Sequence, residues 1–354
     1  MSARADQLVA ALERRDIDRL LVSSLVNLRW LTGFTGSSGA AVIGRDGMRR
    51  FLTDFRYLTQ SAEEVGDEWT REIGTDLMEL AVEQLPAGTV GFDAAQMSVK
   101  EHERLAGLVG AGVELVAADG LIEDLRAIKD PGELTCIRSA AALADEALTE
   151  VLERGLAGRT ERDVALDLEV AMRRRGAEGV SFPPIVASGA HAALPHAVPR
   201  NVEIPAGTLV VIDWGAQLGG YASDCTRTFA TGELDPGDAA IYELVLEAQE
   251  AALAAVRPGP TGREVDAVAR DIIAAAGHGE HFGHGLGHGV GLEVHEGPRL
   301  SARGETALAP GMVVTVEPGV YVPGAVGVRI EDLVAVTEDG NEVLNGLPKA
   351  LRSV

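Results

Sequence analysis

Four acidic residues of this sequence stand in strand-like apolar runs, where a free carboxylate is costly to bury. Asp213 lies near the end of the run LVVIDW, and Asp224 follows eleven residues later, after the turn sequence GAQLGGYAS. A hairpin of that length can bring the two carboxylates face to face, where they repel each other unless a proton or a cation lies between them. Two unrelated turn acids remain the simpler explanation of this pair alone.

Two later acids repeat the pattern. Glu317 belongs to MVVTVEP and, by period-two alternation, shares a strand face with Val313. Glu331 belongs to VGVRIEDLVAV and shares a face with Arg329 and Leu333, so that an ion pair with Arg329 is an alternative explanation. Because four inward acids on apolar strands need positive charge among them, the set predicts a divalent metal site.

Histidines add nitrogen ligands to this set. Five of the eight fall in the glycine-rich stretch HGEHFGHGLGHGVGLEVHE, residues 278–296. His284 and His288 have HxxxH spacing, but the glycines disfavour a helix and no glutamate follows His284, so an HExxH zinc site is not predicted. The glycines do not form GxGxxG either. Any one of these histidines is explained as a hydrogen-bonded loop residue, but beside four acids we expect at least one to bind metal.

Four carboxylates and one imidazole make an oxygen-rich ligand set. Such a set favours manganese or another hard first-row ion over structural zinc, which prefers thiolates. It can hold two ions through bridging carboxylates, and paired ions activate a water and polarise a neighbouring carbonyl. The chemistry predicted from these residue types is metal-assisted hydrolysis.

The first third of the chain alternates helical and strand-like runs, which predicts an α/β layer domain. Its expected elements are a helix at 4–15, a loop at 31–39 and strands at 19–23, 40–43, 89–92 and 113–117. The boundary is placed within 118–134, so that domains of 1–124 and 125–354 are expected.

Beyond that boundary, four helix starts carry an N-terminal capping residue followed by an acid. The pairs are Asp130 with Glu133, Thr160 with Asp163, Asp235 with Asp238 and Thr261 with Glu264, and the helices run to about 153, 176, 256 and 277. The expected strands are 209–214, 225–230, 312–318 and 326–337. Hairpin-like strand pairs among helices make this part mixed α and β as well.

Composition restricts the class of partner. With 54 acids and 31 bases in 354 residues, the formal net charge of −23 disfavours binding to nucleic acid and to anionic membranes. The length suggests two domains, and the 46% apolar share is ordinary for a globular protein. Cys136 and Cys225 make no CxxC pattern, and no signal-peptide core or membrane-spanning run is evident, so a cytoplasmic protein with two reduced cysteines is expected.

The order and spacing of five residues resemble the dinuclear metallopeptidases of the pita-bread fold. They are Asp213, Asp224, His288, Glu317 and Glu331, in the settings VIDWG, YASDCTRTF, GHGLGHGVGLEVHE, VEPGVY and RIEDL. That family includes methionine aminopeptidase, aminopeptidase P and prolidase, and the resemblance covers about 125–350. It implies an α+β, creatinase/aminopeptidase-like catalytic domain.

The N-terminal third resembles the smaller α/β domain that precedes the catalytic domain in aminopeptidase P, prolidase and creatinase. The segments NLRWLTGFTGSSG and LTDFRYLTQ carry this similarity. Methionine aminopeptidase lacks this domain, and creatinase lacks the metal ligands. The resemblance therefore favours the prolidase and aminopeptidase P branch, and it implies a homodimer.

The resemblance also implies a role for each matched residue. Asp213 chelates one metal ion, Asp224 and Glu331 bridge both ions, and His288 and Glu317 complete the second site. Manganese is expected, with cobalt or zinc as alternatives. The remaining roles are proton transfer by Glu317, stabilisation of substrate and tetrahedral intermediate by His196 and His295, lining of the substrate pocket by His284, and orientation of the metal carboxylates by Tyr321 and Arg329.

Arg299 bears on the substrate. It stands where prolidases carry an arginine suited to hold the free carboxylate of proline, which predicts an Xaa-Pro dipeptidase acting on small proline-containing peptides. Gly297 departs from the bulky aromatic residue often found there in prolidases, and a loop ion pair with Glu296 is the alternative for Arg299. The first alternative function is that of an aminopeptidase P, which releases the N-terminal residue of longer Xaa-Pro peptides. The second alternative is a non-catalytic pita-bread binding protein.

Overall fold

A computed structural model of the protein describes residues 2–354, so that only Met1 of the expected first domain lies outside the described residues. The chain divides into two compact units, Met1–Arg126 and Ala127–Val354. The boundary expected after residue 124 lies inside the short helix Glu123–Arg126, two residues before this division.

The first unit is built on a six-stranded sheet with the strand order β4-β3-β2-β1-β5-β6. Strand β1 pairs antiparallel with β2 and parallel with β5. The strands β1 to β6 are Arg19–Val22, Gly39–Gly44, Arg49–Thr53, Thr70–Ile73, Gly88–Phe92 and Val113–Ala117. The helices α1 to α6 are Ser2–Arg14, Leu25–Thr32, Leu58–Glu64, Leu77–Glu83, Val99–Leu108 and Glu123–Arg126, and Phe55–Tyr57 is a 3₁₀ turn.

All the strands expected in this unit are present, as is the first helix. The segment expected as a loop begins inside α2, which ends at Thr32 because Gly33 takes a left-handed conformation with φ 82°. Strands β3 and β4 and helices α2 to α6 had no counterpart among the expected elements.

The second unit contains four long helices that begin at the capping residues expected from sequence. They are Pro131–Leu152 (α7), Glu161–Arg174 (α8), Pro236–Ala255 (α9) and Gly262–Ala275 (α10). At the start of α7, the Asp130 carboxylate accepts from the Glu133 N–H at 2.9 Å, and Glu133 accepts from the Asp130 N–H at 2.8 Å. Thr261 and Glu264 form the same reciprocal cap on α10. Short 3₁₀ helices occupy Gly189–Ala193 and Gly279–His281.

The strands of this unit form small sheets between the helices. Strands β7 to β19 are Gly179–Val180, Ile185–Ser188, Leu209–Trp214, Ala216–Leu218, Tyr221–Ala222, Cys225–Ala230, Gly287–Gly289, Glu296–Leu300, Val313–Val316, Gly319–Val322, Val326–Arg329, Asp332–Val336 and Asn341–Val343. The sheet orders are β12-β9-β8, β14-β13-β15-β18-β19, β11-β10-β7 and β16-β17. One apolar core packs α7 and α8 against β8, β9 and β12, and another packs α9 and α10 against β15, β17 and β18.

The strand expected at 326–337 is wrong, because the structure breaks it into β17 and β18, which belong to different sheets. The break falls at Ile330 and Glu331. There the Glu331 N–H donates to the Thr226 carbonyl at 3.0 Å, and the buried Arg227 guanidinium donates to the Glu331 carbonyl. These bonds to β12 replace the ladder that a continuous strand would make, so the alternation expected through Glu331 does not hold.

Strand β17 passes close to the 3₁₀ helix Gly189–Ala193. A Cβ atom at Gly327 would lie 1.8 Å from the Ala192 carbonyl oxygen, well inside van der Waals contact. Only glycine permits this approach, which brings the segment after Ala192 close to β17; Arg329 at the end of that strand donates to the Pro195 carbonyl.

We expect Gly327→Ala to destabilise the second unit, because the added methyl group must push two backbones apart. Overpacking of this kind costs about 1–3 kcal/mol or more. The control Gly340→Ala adds a methyl group whose nearest neighbour lies 3.9 Å away, and it should stay within about 0.5 kcal/mol of the parent. Denaturant midpoints measure both, and equal midpoints for the two variants would refute the close contact.

Candidate functional site

A cavity of about 600 Å³ in the second unit collects the residues singled out from sequence. All of these residues line the cavity except Tyr321, whose hydroxyl contacts His284 and Arg329 in the cavity wall. The lining includes His196, Asp213, Asp224, His284, His288, His295, Arg299, Glu317, Arg329 and Glu331. Much of the remaining lining is apolar, from Phe182–Ile185 and Pro195–Pro199.

Three carboxylates form the centre of this cavity. Asp213 comes from the end of β9, Asp224 precedes β12, and Glu331 lies in the break between β17 and β18. Each offers an oxygen, and these oxygens lie within 4.8 Å of one another. Asp213 Oδ1 and Glu331 Oε1 are buried and have no hydrogen-bond partner among residues 2–354. Oxygens left in this way are free to ligate a cation.

His288 and Glu317 lie beside this group. The His288 Nε2 atom is 3.2 Å from Glu317 Oε1 and 3.6 Å from Asp224 Oδ2. The other ring nitrogen, Nδ1, is 3.1 Å from the Gly289 carbonyl. Because a carbonyl only accepts, Nδ1 carries a proton. Nε2 faces the carboxylates: it donates to Glu317 when the ring is charged, and it offers a lone pair to a cation when the ring is neutral.

Burial and mutual repulsion dominate the electrostatics of the centre. Burial raises the pKa of Asp224 well above its usual range, and the neighbouring charges of Glu331 and Asp213 raise it further. The pKa values of Glu331 and Asp213 are also raised, first by burial. Burial acts against Glu317 too, but the hydrogen bond and charge of His288 outweigh it and lower that pKa to about 2. Such carboxylates ionise together only when positive charge lies among them.

Arg329 neutralises one of these charges from behind. Its fully buried guanidinium donates to Asp213 Oδ2 at 2.7 Å, to the Tyr321 hydroxyl at 2.9 Å and to Thr226 Oγ1 at 2.9 Å. Glu331 Oε2 instead accepts from the Thr226 hydroxyl at 2.7 Å. The alternative explanation of Glu331, an ion pair with Arg329, is therefore wrong. Within residues 2–354, the Arg329 guanidinium pairs with Asp213 instead.

Tyr321 links Arg329 to the pocket histidine His284. The Tyr321 hydroxyl lies 2.9 Å from His284 Nε2, while His284 Nδ1 donates to the Gly285 carbonyl at 2.8 Å. Tyr321 therefore accepts from Arg329 and donates to His284. Burial lowers the pKa of His284, in agreement with a neutral ring.

Helix α10 holds the glycine-rich loop that carries these histidines. The Asp266 carboxylate accepts from the Leu286 N–H at 3.0 Å, and Arg270 donates to the carbonyls of Phe282 at 3.0 Å and His284 at 2.8 Å. Asp266 and Arg270 also pair with each other at 2.8 Å. The sequence analysis missed both residues, although their spacing of four in a predicted helix was a signal for an ion pair.

Arg299 projects from the strand beside His288. The two residues are paired in register across β13 and β14. The ion pair considered between Arg299 and Glu296 is wrong, because Glu296 pairs with the buried Lys129 at 2.6 Å. Arg299 is exposed and has no ion-pair partner among residues 2–354. Its guanidinium therefore lines the cavity wall without an acid of the described chain paired to it.

His196 and His295 complete the polar part of the cavity. The His295 ring packs edge-on against His288 with centroids 4.2 Å apart, and burial lowers its pKa. His196 is exposed and lies between Pro195 and Ala197, which also line the cavity. Both imidazoles are placed where hydrogen bonds to a bound peptide can form.

Comparison with known proteins identifies the family. Residues 135–338 match the model of metallopeptidase family M24, and residues 4–128 match the creatinase/prolidase N-terminal domain. The chain belongs to metallopeptidase family M24. The expected fold is confirmed, a pita-bread catalytic domain preceded by a creatinase-type α/β domain. The prediction of a metallopeptidase, rather than a non-catalytic binding protein, is confirmed. Membership of this family also implies divalent metal ions.

Several relatives extend over almost the whole chain. An uncharacterized peptidase, YqhT, of Bacillus subtilis is 43% identical over 95% of both chains. An Xaa-Pro dipeptidase of Pyrococcus furiosus is 38% identical over 99% of this chain and 100% of its own. Among solved structures, an Xaa-Pro dipeptidase from Bacillus anthracis matches with a TM-score of 0.96 and 38% identity, over 100% of this chain and 99% of its own. An X-Pro aminopeptidase from Thermotoga maritima reaches 0.89 and 37%, over 97% and 99%.

The acids and the histidine at the centre of this cavity have the chemistry to hold divalent ions, as an M24 peptidase requires. Two buried carboxylate oxygens have no hydrogen-bond partner within residues 2–354, the pKa values of three buried acids are raised, and one imidazole nitrogen faces these acids. Among the described residues, no helix is long and apolar enough to cross a membrane.

We expect Mn²⁺ to raise the melting temperature of metal-stripped protein and Glu331→Gln to abolish most of that rise. A ligand at a hundred times its Kd stabilises the folded state by about 2.7 kcal/mol. Glu342→Gln removes the same charge from an exposed ion pair with Arg138 and should keep the full rise. Calorimetry decides, and an equal rise in both variants would refute the assignment of Glu331.

Proposed function

We propose that this M24 peptidase is an Xaa-Pro dipeptidase, which hydrolyses the peptide bond before proline in dipeptides. Relatives named Xaa-Pro dipeptidase support this reading over the full length of the chain. The second candidate is an aminopeptidase that acts on longer Xaa-Pro peptides, because an X-Pro aminopeptidase also has a similar structure. The single observation that favours the dipeptidase is the Arg299 guanidinium beside His288, which no acid in residues 2–354 pairs with.

The proposed metal ligands are the four acids and one histidine at the centre of the cavity, namely Asp213, Asp224, His288, Glu317 and Glu331. We infer two ions per subunit, with manganese preferred because the set is rich in hard oxygen ligands. Bound there, the ions would activate a water and polarise the scissile carbonyl.

The other polar residues act on the peptide itself. Glu317 lines the cavity with its carboxylate 3.2 Å from His288 Nε2, so it is placed to accept and return a proton during hydrolysis. His196 and His295 provide hydrogen bonds to the developing charge on the tetrahedral intermediate. His284 borders the substrate space, and Tyr321 and Arg329 fix His284 and Asp213 through the bonds described above.

Arg299 is suited to bind the free carboxylate of proline. In an Xaa-Pro dipeptide that carboxylate is only two bonds from the scissile nitrogen, so its anchor must lie close to the catalytic centre. Residues paired across antiparallel strands have Cα atoms about 4.5–5.5 Å apart, and Arg299 is the strand partner of His288. A guanidinium binds a carboxylate through two parallel hydrogen bonds.

We also propose a cytoplasmic homodimer. Cys136 and Cys225 are both free thiols, as in proteins of a reducing compartment. The dimer is carried over from the resemblance of the N-terminal unit to the creatinase-type domain, and sedimentation velocity tests it.

A substrate length series separates the two peptidase readings. We expect hydrolysis of Xaa-Pro dipeptides and little hydrolysis of Xaa-Pro-Yaa tripeptides, because a tripeptide moves its free carboxylate away from Arg299. Release of the N-terminal residue is measured by chromatography with metal-loaded protein. Faster cleavage of tripeptides and longer peptides would establish the aminopeptidase instead.

The variant Arg299→Ala should raise KM for dipeptides by about tenfold or more, because it removes a charge-assisted pair worth about 1.5–3 kcal/mol. Residual cleavage of tripeptides should change much less. Arg303→Ala removes a nearby exposed arginine that does not line the cavity. It should change neither KM for dipeptides nor the residual cleavage of tripeptides. Equal effects of Arg299→Ala on both substrate lengths would contradict the anchor role.

A further inference from the structure

Glu161 is a fully buried carboxylate outside the metal centre, and none of the roles described above uses it. It is the first residue of α8 and is 0% exposed. It accepts from the Ser188 N–H and hydroxyl, each at 2.9 Å, and from Arg200 through its backbone N–H at 3.0 Å and its guanidinium at 3.0 and 2.9 Å. His191 Nδ1 lies 3.0 Å away as a further donor.

These bonds fasten both ends of one segment, residues 188–200, to a single side chain. The middle of the segment, Pro195–Pro199, lines the cavity and carries His196. Apart from Ser188 at the end of β8 and the 3₁₀ helix Gly189–Ala193, the segment has no regular structure. Its course therefore depends on the packing of the buried Ala192 and Ala197 and on hydrogen bonds, several of which end on Glu161.

The same segment is attached to the metal centre on its other side. Arg329, which holds Asp213, also donates to the Pro195 carbonyl at 3.2 Å. The Arg162 N–H donates to the Arg200 carbonyl at 3.1 Å, which adds a second bond to the start of α8. His196 thus stands between two anchors, one at the metal ligands and one at Glu161.

The carboxylate of Glu161 is ionised wherever the enzyme would work. Burial alone would raise its pKa, but the hydrogen bonds from Arg200 and Ser188 outweigh burial and lower it to about 2. A charged acceptor strengthens each of these bonds. A neutral amide at this position would offer one acceptor oxygen and place an N–H₂ group among donors.

We propose that Glu161 is a positioning residue that holds the His196 segment in its catalytic place, an inference that rests on the proposed peptidase function. Glu161 does not touch the cavity, so it acts only through residues 188–200. A purely stabilising role would lower the melting temperature and leave the kinetics of the folded enzyme unchanged. A positioning role makes the kinetic effect of Glu161 depend on His196.

A double-mutant cycle on the metal-loaded, full-length protein tests this dependence. Loss of one donor to a developing oxyanion typically costs 10²–10³-fold in kcat, and we expect this of His196→Ala. Glu161→Gln should lower kcat by about 10–100-fold with a smaller change in KM. The double variant should lie within about threefold of His196→Ala alone. Effects that multiply independently, or an unchanged kcat in Glu161→Gln, would overturn the proposal.

Hydrogen exchange gives a readout that does not need turnover. Amides of 189–198 should exchange faster in Glu161→Gln, while those of β9 stay protected. Unchanged exchange in the segment would overturn the proposal even if the enzyme is active. A wild-type protein without Xaa-Pro hydrolysis would instead refute the proposed function, so the two failures are distinguishable.

Two further variants complete the design. Asp145→Asn removes another buried carboxylate, which accepts from the Gly346 N–H away from the cavity. It should lower stability without changing kcat or the exchange of 189–198. If Glu161→Gln does not fold, Arg200→Gln loosens the same anchor from its half-exposed side, and the same cycle with His196→Ala applies. Independent effects there would likewise overturn the proposal.

Discussion

The catalytic unit is organised around the cost of burying four carboxylates in one cavity. Asp213, Asp224, Glu317 and Glu331 lose hydration there and repel one another, and Arg329 offsets only part of their charge. A protein could avoid this cost by protonating the acids, but protonated carboxyl groups bind cations poorly. Membership in a metallopeptidase family indicates the other solution, in which divalent cations supply the missing positive charge.

The rest of the unit places ligands from distant parts of the chain around that charge. The break between β17 and β18 turns Glu331 into the cavity, and bonds from β12 to its backbone maintain the break. Two helices then hold the loops that carry the histidines. Asp266 on α10 fastens the glycine-rich loop, and Glu161 on α8 fastens the segment of His196. In both cases a buried carboxylate on a helix binds backbone N–H groups of a cavity loop.

Local sequence patterns predicted a large part of this arrangement. The caps at Asp130 and Thr261 marked helix starts because capping depends on residues three positions apart. Acids such as Asp213 were recognisable because a carboxylate in an apolar strand needs a partner. The strand break at Glu331 was not predictable from alternation, since it depends on bonds to Thr226 and Arg227, about a hundred residues away. Contacts of that range leave no periodic signal.

The claim that these acids form a metal centre is tested most directly by metal content. Purified protein and Asp224→Asn, both shown to be folded by circular dichroism, are loaded with Mn²⁺, dialysed and analysed by plasma mass spectrometry. The account predicts about two ions per chain in the parent and at most one in Asp224→Asn, because the Asp224 carboxylate would help to hold both ions. Equal metal content in the two proteins, or none retained in the parent, would contradict it.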